Sequence, residues 1–176
     1  DGLSFSPAGE LILHNIIVHN PEGFGAGRLL SIKQLSLKVC YKELFKKHFS
    51  FEKIALMEPE LTFIRNREGK LNISDKLREF FVRKSTLEYR VDEFIITSGI
   101  VDFNGDRTFR NDDVNLSFKN LSSVSDAKTS FNGHTRYAGS KIAVDGWVYL
   151  KNEPKRLNIS ASSQDMSLSA LNELNA

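Results

Sequence analysis

The chain is poor in the residues that carry most recognisable chemistry. Its single cysteine, Cys40, excludes an intrachain disulfide and any zinc site built from cysteines. The histidines are few and scattered: His14, His19, His48 and His134. His14 and His19 have opposite strand parity, so they are expected on opposite faces, unable to hold one metal together. Neither sign of charge dominates. Twenty-four Lys and Arg against 22 Asp and Glu leave +2, no basis for a nucleic-acid partner, whose readers gather basic charge on one face. No apolar run approaches the roughly 20 residues of a membrane helix, and no signal peptide opens the chain. Asp1 at the start gives the expectation of an excised or processed piece, with any anchor removed upstream.

What is present is alternation. Hydrophobic residues make up 40% of the 176, including 13 phenylalanines, and they are spread over many short segments. Leu11, Leu13 and Ile17 share one strand parity and Ile12, Ile16 and Val18 the other, which predicts a strand covered on both faces. Asn20 to Gly27 holds an asparagine, a proline and three glycines and reads as a loop. Leu35, Leu37 and Val39 alternate with Gln34, Ser36 and Lys38, the pattern of a half-exposed strand. Tyr41, Leu44 and Phe45 predict a short helix.

Phe49–Met57 and Glu60–Arg65 read as two strands about a Glu58-Pro59 turn, and Val91–Thr97 and Ile100–Asn104 as a hairpin around Ser98-Gly99. Ser74 caps a second predicted helix and Ser167 a terminal one. Val114, Leu116 and Phe118 mark one further strand, Lys141–Leu150 another and Arg156–Ala161 a last, with Ser122–Thr129 a polar loop. Phe51–Phe63 also lies over Val91–Phe103 without a gap, which suggests a repeating hairpin unit.

Catalytic chemistry is hard to find. Asp102, Asn104 and Asp106 match the first three ligands of a calcium loop, but Arg107 stands where the turn needs Gly and Asp113 where it needs Glu, so a polar hairpin tip is expected. The glycines of Gly23–Gly27 lack phosphate-loop spacing. Glu58 and Glu60 show no sign of the burial that splits carboxylate pKa values. Cys40 has no histidine partner, and the four Asn-X-Ser sequons fit chance in a Ser- and Asn-rich chain. Small basic clusters at Lys46-Lys47 and at Lys151, Lys155 and Arg156 read as solvated faces. What remains is apolar strand surface with few helices to cover it.

Several of these segments together resemble one family. Leu13–Phe24 with its Asn-Pro-x-Gly-Phe loop, Leu30–Val39, the Pro59-Glu-Leu step and Gly69-Lys-Leu-Asn-Ile73 occur in the order found at the amino terminus of the AsmA-like proteins. Phe94–Phe103 and Ser140–Leu150 resemble its later strand repeats more loosely. The resemblance implies a Gram-negative envelope protein, anchored in the inner membrane by a segment absent from this chain and extending into the periplasm. It implies kinship with bridge-like lipid-transfer proteins built from a repeating β-groove, and a role in phospholipid movement and outer-membrane biogenesis. It carries no catalytic motif.

The expected fold is therefore mainly β: a long, curved, twisted antiparallel sheet, β-groove-like, with a few short helices. Residues 1–84 form an amino-terminal β unit and 85–176 a second, within one continuous sheet. The expected function is non-enzymatic, needs no cofactor or metal, and places phospholipid or another acyl-chain lipid on an apolar face. Parity assigns that face Leu35, Leu37, Val39, Leu61, Phe63, Val101, Phe103, Leu116 and Phe118. The same residues also suit a closed core. A β scaffold docking other envelope proteins through its edges is the alternative, and an adhesive domain using the Asp102–Asp113 loop a third.

Overall fold

The computed structural model describes residues 2–7, 9–41, 49–73, 88–105, 108–150, 156–163 and 166. They form one sheet of nine strands in chain order: β1 (Gly2–Phe5), β2 (Leu11–His19), β3 (Arg28–Val39), β4 (Phe49–Ile64), β5 (Tyr89–Asn104), β6 (Thr108–Ser122), β7 (Thr129–Tyr137), β8 (Ser140–Tyr149) and β9 (Arg156–Ser163). The sheet is mainly antiparallel and does not close into a barrel, so β1 and β9 are its edges. It runs through the boundary expected near residue 84, because β4 and β5 pair along their length. Of the short helices expected at 41–47, 74–81 and 167–174, all but Tyr41 falls on residues outside those described.

Two expected turns are not turns. Phe49–Ile64 is one strand of 16 residues, not two about Glu58-Pro59. Tyr89–Asn104 is likewise one strand of 16, not a hairpin around Ser98-Gly99. These two strands are parallel neighbours. Their register pairs Phe51 with Val91, Ile54 with Phe94 and Phe63 with Phe103, a constant offset of 40 that is also the offset of the sequence echo. The repeat is thus a pair of long strands side by side, not a pair of hairpins.

The turn chemistry at those points is real but serves a different device. Glu58 and Ser98 have φ of 47° and 53°, and Asn15 on β2 and Asp113 on β6 have 55° and 52°. Each ladder from β2 to β6 is interrupted at this level, near Asn15, Lys33, Glu58, Ser98 and Asp113. A left-handed residue inside a strand acts as a bulge, which bends the strand and resets the alternation of its side chains. The line of breaks therefore crosses five adjacent strands as one transverse crease.

The crease accounts for a puzzle in β2. Leu11, Leu13, Ile16 and Val18 do not share a parity, yet with the left-handed break at Asn15 they share a face: Ile16 stands opposite Ile32 and Ile32 opposite Pro59, on the side of Ile96. The same break removes the parity argument that separated His14 from His19. Five residues of strand, roughly 16 Å at 3.3 Å per residue, keep those two apart instead.

The β7–β8 hairpin closes on Ala138 and Gly139 between the paired Tyr137 and Ser140. Both have positive φ, 47° and 81°, as a type I′ turn requires. Alanine is poorly suited to that region, whereas asparagine tolerates it. Ala138→Asn is expected to stabilise the protein by about 0.5–1 kcal/mol, read as a higher urea midpoint at unchanged slope.

Candidate functional site: a continuous apolar face

Residues directly opposite each other on neighbouring strands point to the same side of a sheet. One such row reads Phe5, Leu11, Leu37, Ile54, Phe94, Phe118, Phe131, Gly146 and Ile159, from edge to edge. The row two residues further along reads Leu3, Leu13, Leu35, Leu56, Ile96, Leu116, Gly133, Val144 and Ala161. No polar side chain interrupts either. The intervening row, on the other face, reads Ser4, Ile12, Ser36, Ala55, Ile95, Ser117, Asn132, Asp145 and Ser160. One side of the sheet is therefore apolar across all nine strands, and the other is mixed and polar.

The apolar face continues past the crease. A Cβ built on Gly99 would meet Ile96 Cγ2 at 3.1 Å, Pro59 Cγ at 3.3 Å and Val114 Cβ at 3.3 Å, so Gly99, Pro59 and Val114 lie on the same side as Ile96. Two residues on, Leu61 pairs with Val101, and two more bring Phe63 opposite Phe103 and Phe103 opposite Phe109. Aromatic rings reinforce both ends of this surface. Phe94 meets Phe118 edge-on at 5.8 Å, Phe118 lies 5.6 Å from Phe131, and Phe103 stacks on Phe109 at 5.1 Å.

The structure brings together the residues assigned by parity. Leu35 and Leu116 share one row, Leu37 and Phe118 the next, and Leu61, Phe63, Val101 and Phe103 follow beyond the crease. Val39 stands opposite Phe51, past a register shift at the end of β3. The sequence reading missed the contributions of β1 and β7. Thr129–Tyr137 offers only Phe131 and Tyr137 as large apolar residues, with Gly133 between them, too little to announce a strand.

Among the described residues little covers this face. Extensive contacts between strands are with hydrogen-bonded neighbours, and the aromatic contacts join neighbouring strands or lie within one strand. Among the described residues only Ile32, Val91, Val114 and Tyr137 are buried hydrophobics. Most of the others on the face are half-buried, by their neighbours in the sheet. Exposure peaks at the edges, with Leu3 at 62% and Phe5 at 72% on β1 and Leu157 at 58% and Ile159 at 59% on β9.

The polar face neutralises its charges locally. Lys33 meets Glu58 at 2.6 Å across the crease, and Lys38 meets Glu52 at 2.8 Å. The hydrogen bond that it donates to the Glu52 carboxylate holds the Lys38 ammonium above the usual lysine range. Arg110 is raised in the same sense, first by its hydrogen bond to Asp112 and further by the nearby Asp102. Asp102 and Asp113, the ends of the calcium-like spacing, are taken up separately. Asp102 receives Arg110, while Asp113 accepts from Asn115 and faces His134 at 3.5 Å. Among the described residues no group of three His, Cys, Asp or Glu is placed to hold a metal ion, and no helix is long and apolar enough to cross a membrane. Glu58 and Glu60 point to Lys33 and Ser31 and do not form a carboxylate pair.

One polar cluster fixes the end of the sheet. Asn72 is 3% exposed. Its side-chain oxygen accepts from the Ile64 amide at 3.1 Å, and its nitrogen donates to the Thr62 carbonyl and to Asn20 Oδ1, both at 2.8 Å. The Asn20–Phe24 loop is thereby tied to the Gly69–Ile73 segment. Its burial also removes Asn72 from use as a glycan acceptor in the folded chain.

No model of a known protein family matches this chain, and no curated protein matches it.

Proposed function

We propose that the chain is a lipid-binding or lipid-conducting module, which holds phospholipid acyl chains along the apolar face of its open sheet. In this reading it is the periplasmic, AsmA-like part of an inner-membrane-anchored protein acting in outer-membrane biogenesis. The observation that carries the proposal is the pair of unbroken apolar rows spanning nine strands. Monomeric proteins rarely expose apolar patches beyond a few hundred Å² unless something binds there. The face extends about 38 Å across the strands, at about 4.8 Å per strand, more than twice the roughly 15 Å depth of one bilayer leaflet. Each methylene buried on it contributes about 0.8 kcal/mol, with no polar group needed to read the ligand.

Native mass spectrometry of gently purified protein is expected to show retained phospholipid. Phe63→Glu, which sets a charge on the face, is expected to lower acyl-chain photocrosslinking about tenfold while circular dichroism stays unchanged. Unfolding of this variant would instead identify Phe63 as a core residue.

The open edges favour a second reading, a non-enzymatic β scaffold for envelope proteins. β9 carries no charged side chain from Leu157 to Ser163 and every one of these residues is exposed, the form of an edge that pairs with another strand. Protection of β9 amides from hydrogen exchange by a partner protein, in lipid-free samples, would favour the scaffold.

A further inference from the structure

We propose that the apolar face has a headgroup end, where Arg65 receives the phosphate of a lipid whose acyl chain lies along Leu61 and Phe63. The inference rests on the lipid reading above and adds an orientation and a ligand class to it. Arg65 follows Phe63 by two residues and lies on the same face. Its guanidinium carbon lies 5.9 Å above the Phe103 ring, and its Cβ approaches the Cβ position of Gly105 at 3.3 Å. A charged side chain thus ends a column of apolar ones, the order of parts in a phospholipid.

Two features make Arg65 available. First, among the described residues its charge is not spent on a carboxylate. Arg90, Arg110 and Arg136 each meet an aspartate, at 2.9, 2.7 and 3.8 Å, whereas the described partners of Arg65 are the Gly69 carbonyl, at 3.4 Å, and the Phe103 ring. Second, it is held at the mouth of an ordered turn. Asn66 Oδ1 accepts from the amides of Glu68 and Lys70, and the Gly69 amide returns to the Asn66 carbonyl. Arg67 and Lys70 in this turn are exposed and outnumber Glu68. The planar fork of an arginine, braced on an aromatic ring, suits a phosphate better than a lysine does.

The test loads the full chain from vesicles of equal phosphatidylglycerol and diacylglycerol, which share acyl chains and differ in the phosphate. Wild-type protein is expected to retain phosphatidylglycerol preferentially, with Arg65→Gln reducing that preference about fivefold, as for one exposed charge-assisted hydrogen bond. Arg136→Gln, on the polar face, is expected to leave it unchanged. Excess glycerol phosphate should not displace the lipid, because the acyl chain supplies most of the binding; displacement would mean a free-phosphate site and overturn the proposal. Equal uptake of both lipids, or an unchanged preference in Arg65→Gln, would overturn the headgroup end and leave acyl binding standing. Uptake of neither lipid would overturn the lipid reading itself.

Discussion

Gly133→Ala is expected to lower the stability of the protein by about 3 kcal/mol, the upper end of overpacking costs. For a chain of this size that moves the thermal midpoint down by roughly 6–12 °C. The reason lies in the neighbouring strand. β6 carries an extra residue between Asp112 and Asn115, and β7 does not. Just past this slip Gly133 stands opposite Leu116, and a Cβ there would overlap the Asn115 carbonyl oxygen and approach the Leu116 Cα at 2.9 Å. Both obstacles are backbone, so neither can rotate away. The glycine is therefore required by the close approach of the neighbouring strand, not a flexible spot. Asn132→Ala, one residue earlier and on the exposed polar face, is expected to change stability by less than about 0.5 kcal/mol. A Gly133→Ala protein as stable as wild type would mean that β6 and β7 are not joined in this register.

Asn72→Asp is expected to be as damaging, costing about 3–4 kcal/mol at neutral pH. The substitution preserves shape and removes the two donors that Asn72 offers to Asn20 Oδ1 and the Thr62 carbonyl. It sets a carboxylate oxygen against two acceptors in a site that is 3% exposed. Protonating the carboxyl would restore one donor, so part of the loss is expected to return as pH falls. Asn72→Ala leaves the partners unpaired without the charge and is expected to cost about 2 kcal/mol, with no such pH dependence. Urea titrations of the three proteins at pH 7 and pH 5 separate these outcomes. An Asn72→Asp protein that keeps wild-type stability at both would show that the amide does not tie the Asn20 loop to the sheet.

Much of this architecture is legible in the sequence, and the illegible parts share one physical cause. Alternating Leu, Ile, Val and Phe mark most strands, and the apolar parity of Leu35, Leu37, Leu116 and Phe118 is a property of residue order alone. Side-chain parity, however, holds only while every residue is extended. Asn15, Glu58, Ser98 and Asp113 each take a left-handed conformation inside a strand. The residues that permit this are also the residues of turns. Glu58-Pro59 and Ser98-Gly99 therefore read as chain reversals, and the parity of β2 splits Leu11 and Leu13 from Ile16 and Val18, which share a face, while Ile12 and Ile17 lie opposite them. The 40-residue echo contains the parallel register, yet nothing in it distinguishes strands lying side by side from stacked hairpins. β7 is hidden because three of its five inward positions are Thr129, Gly133 and Thr135, residues that carry no hydrophobic signal.

The proposal as a whole rests on lipid meeting one face of the sheet and not the other, which acyl-chain photolabelling reads residue by residue. The protein would be loaded with a phospholipid carrying a diazirine near the end of its acyl chain, irradiated and mapped by peptide sequencing. The account predicts labels with a period of two: on Leu35 and Leu37, Ile54 and Leu56, Phe94 and Ile96, and Leu116 and Phe118. The interleaved Ser36, Ala55, Ile95 and Ser117 should stay unlabelled. Equal labelling of both sets, or labels confined to the polar face, would contradict it.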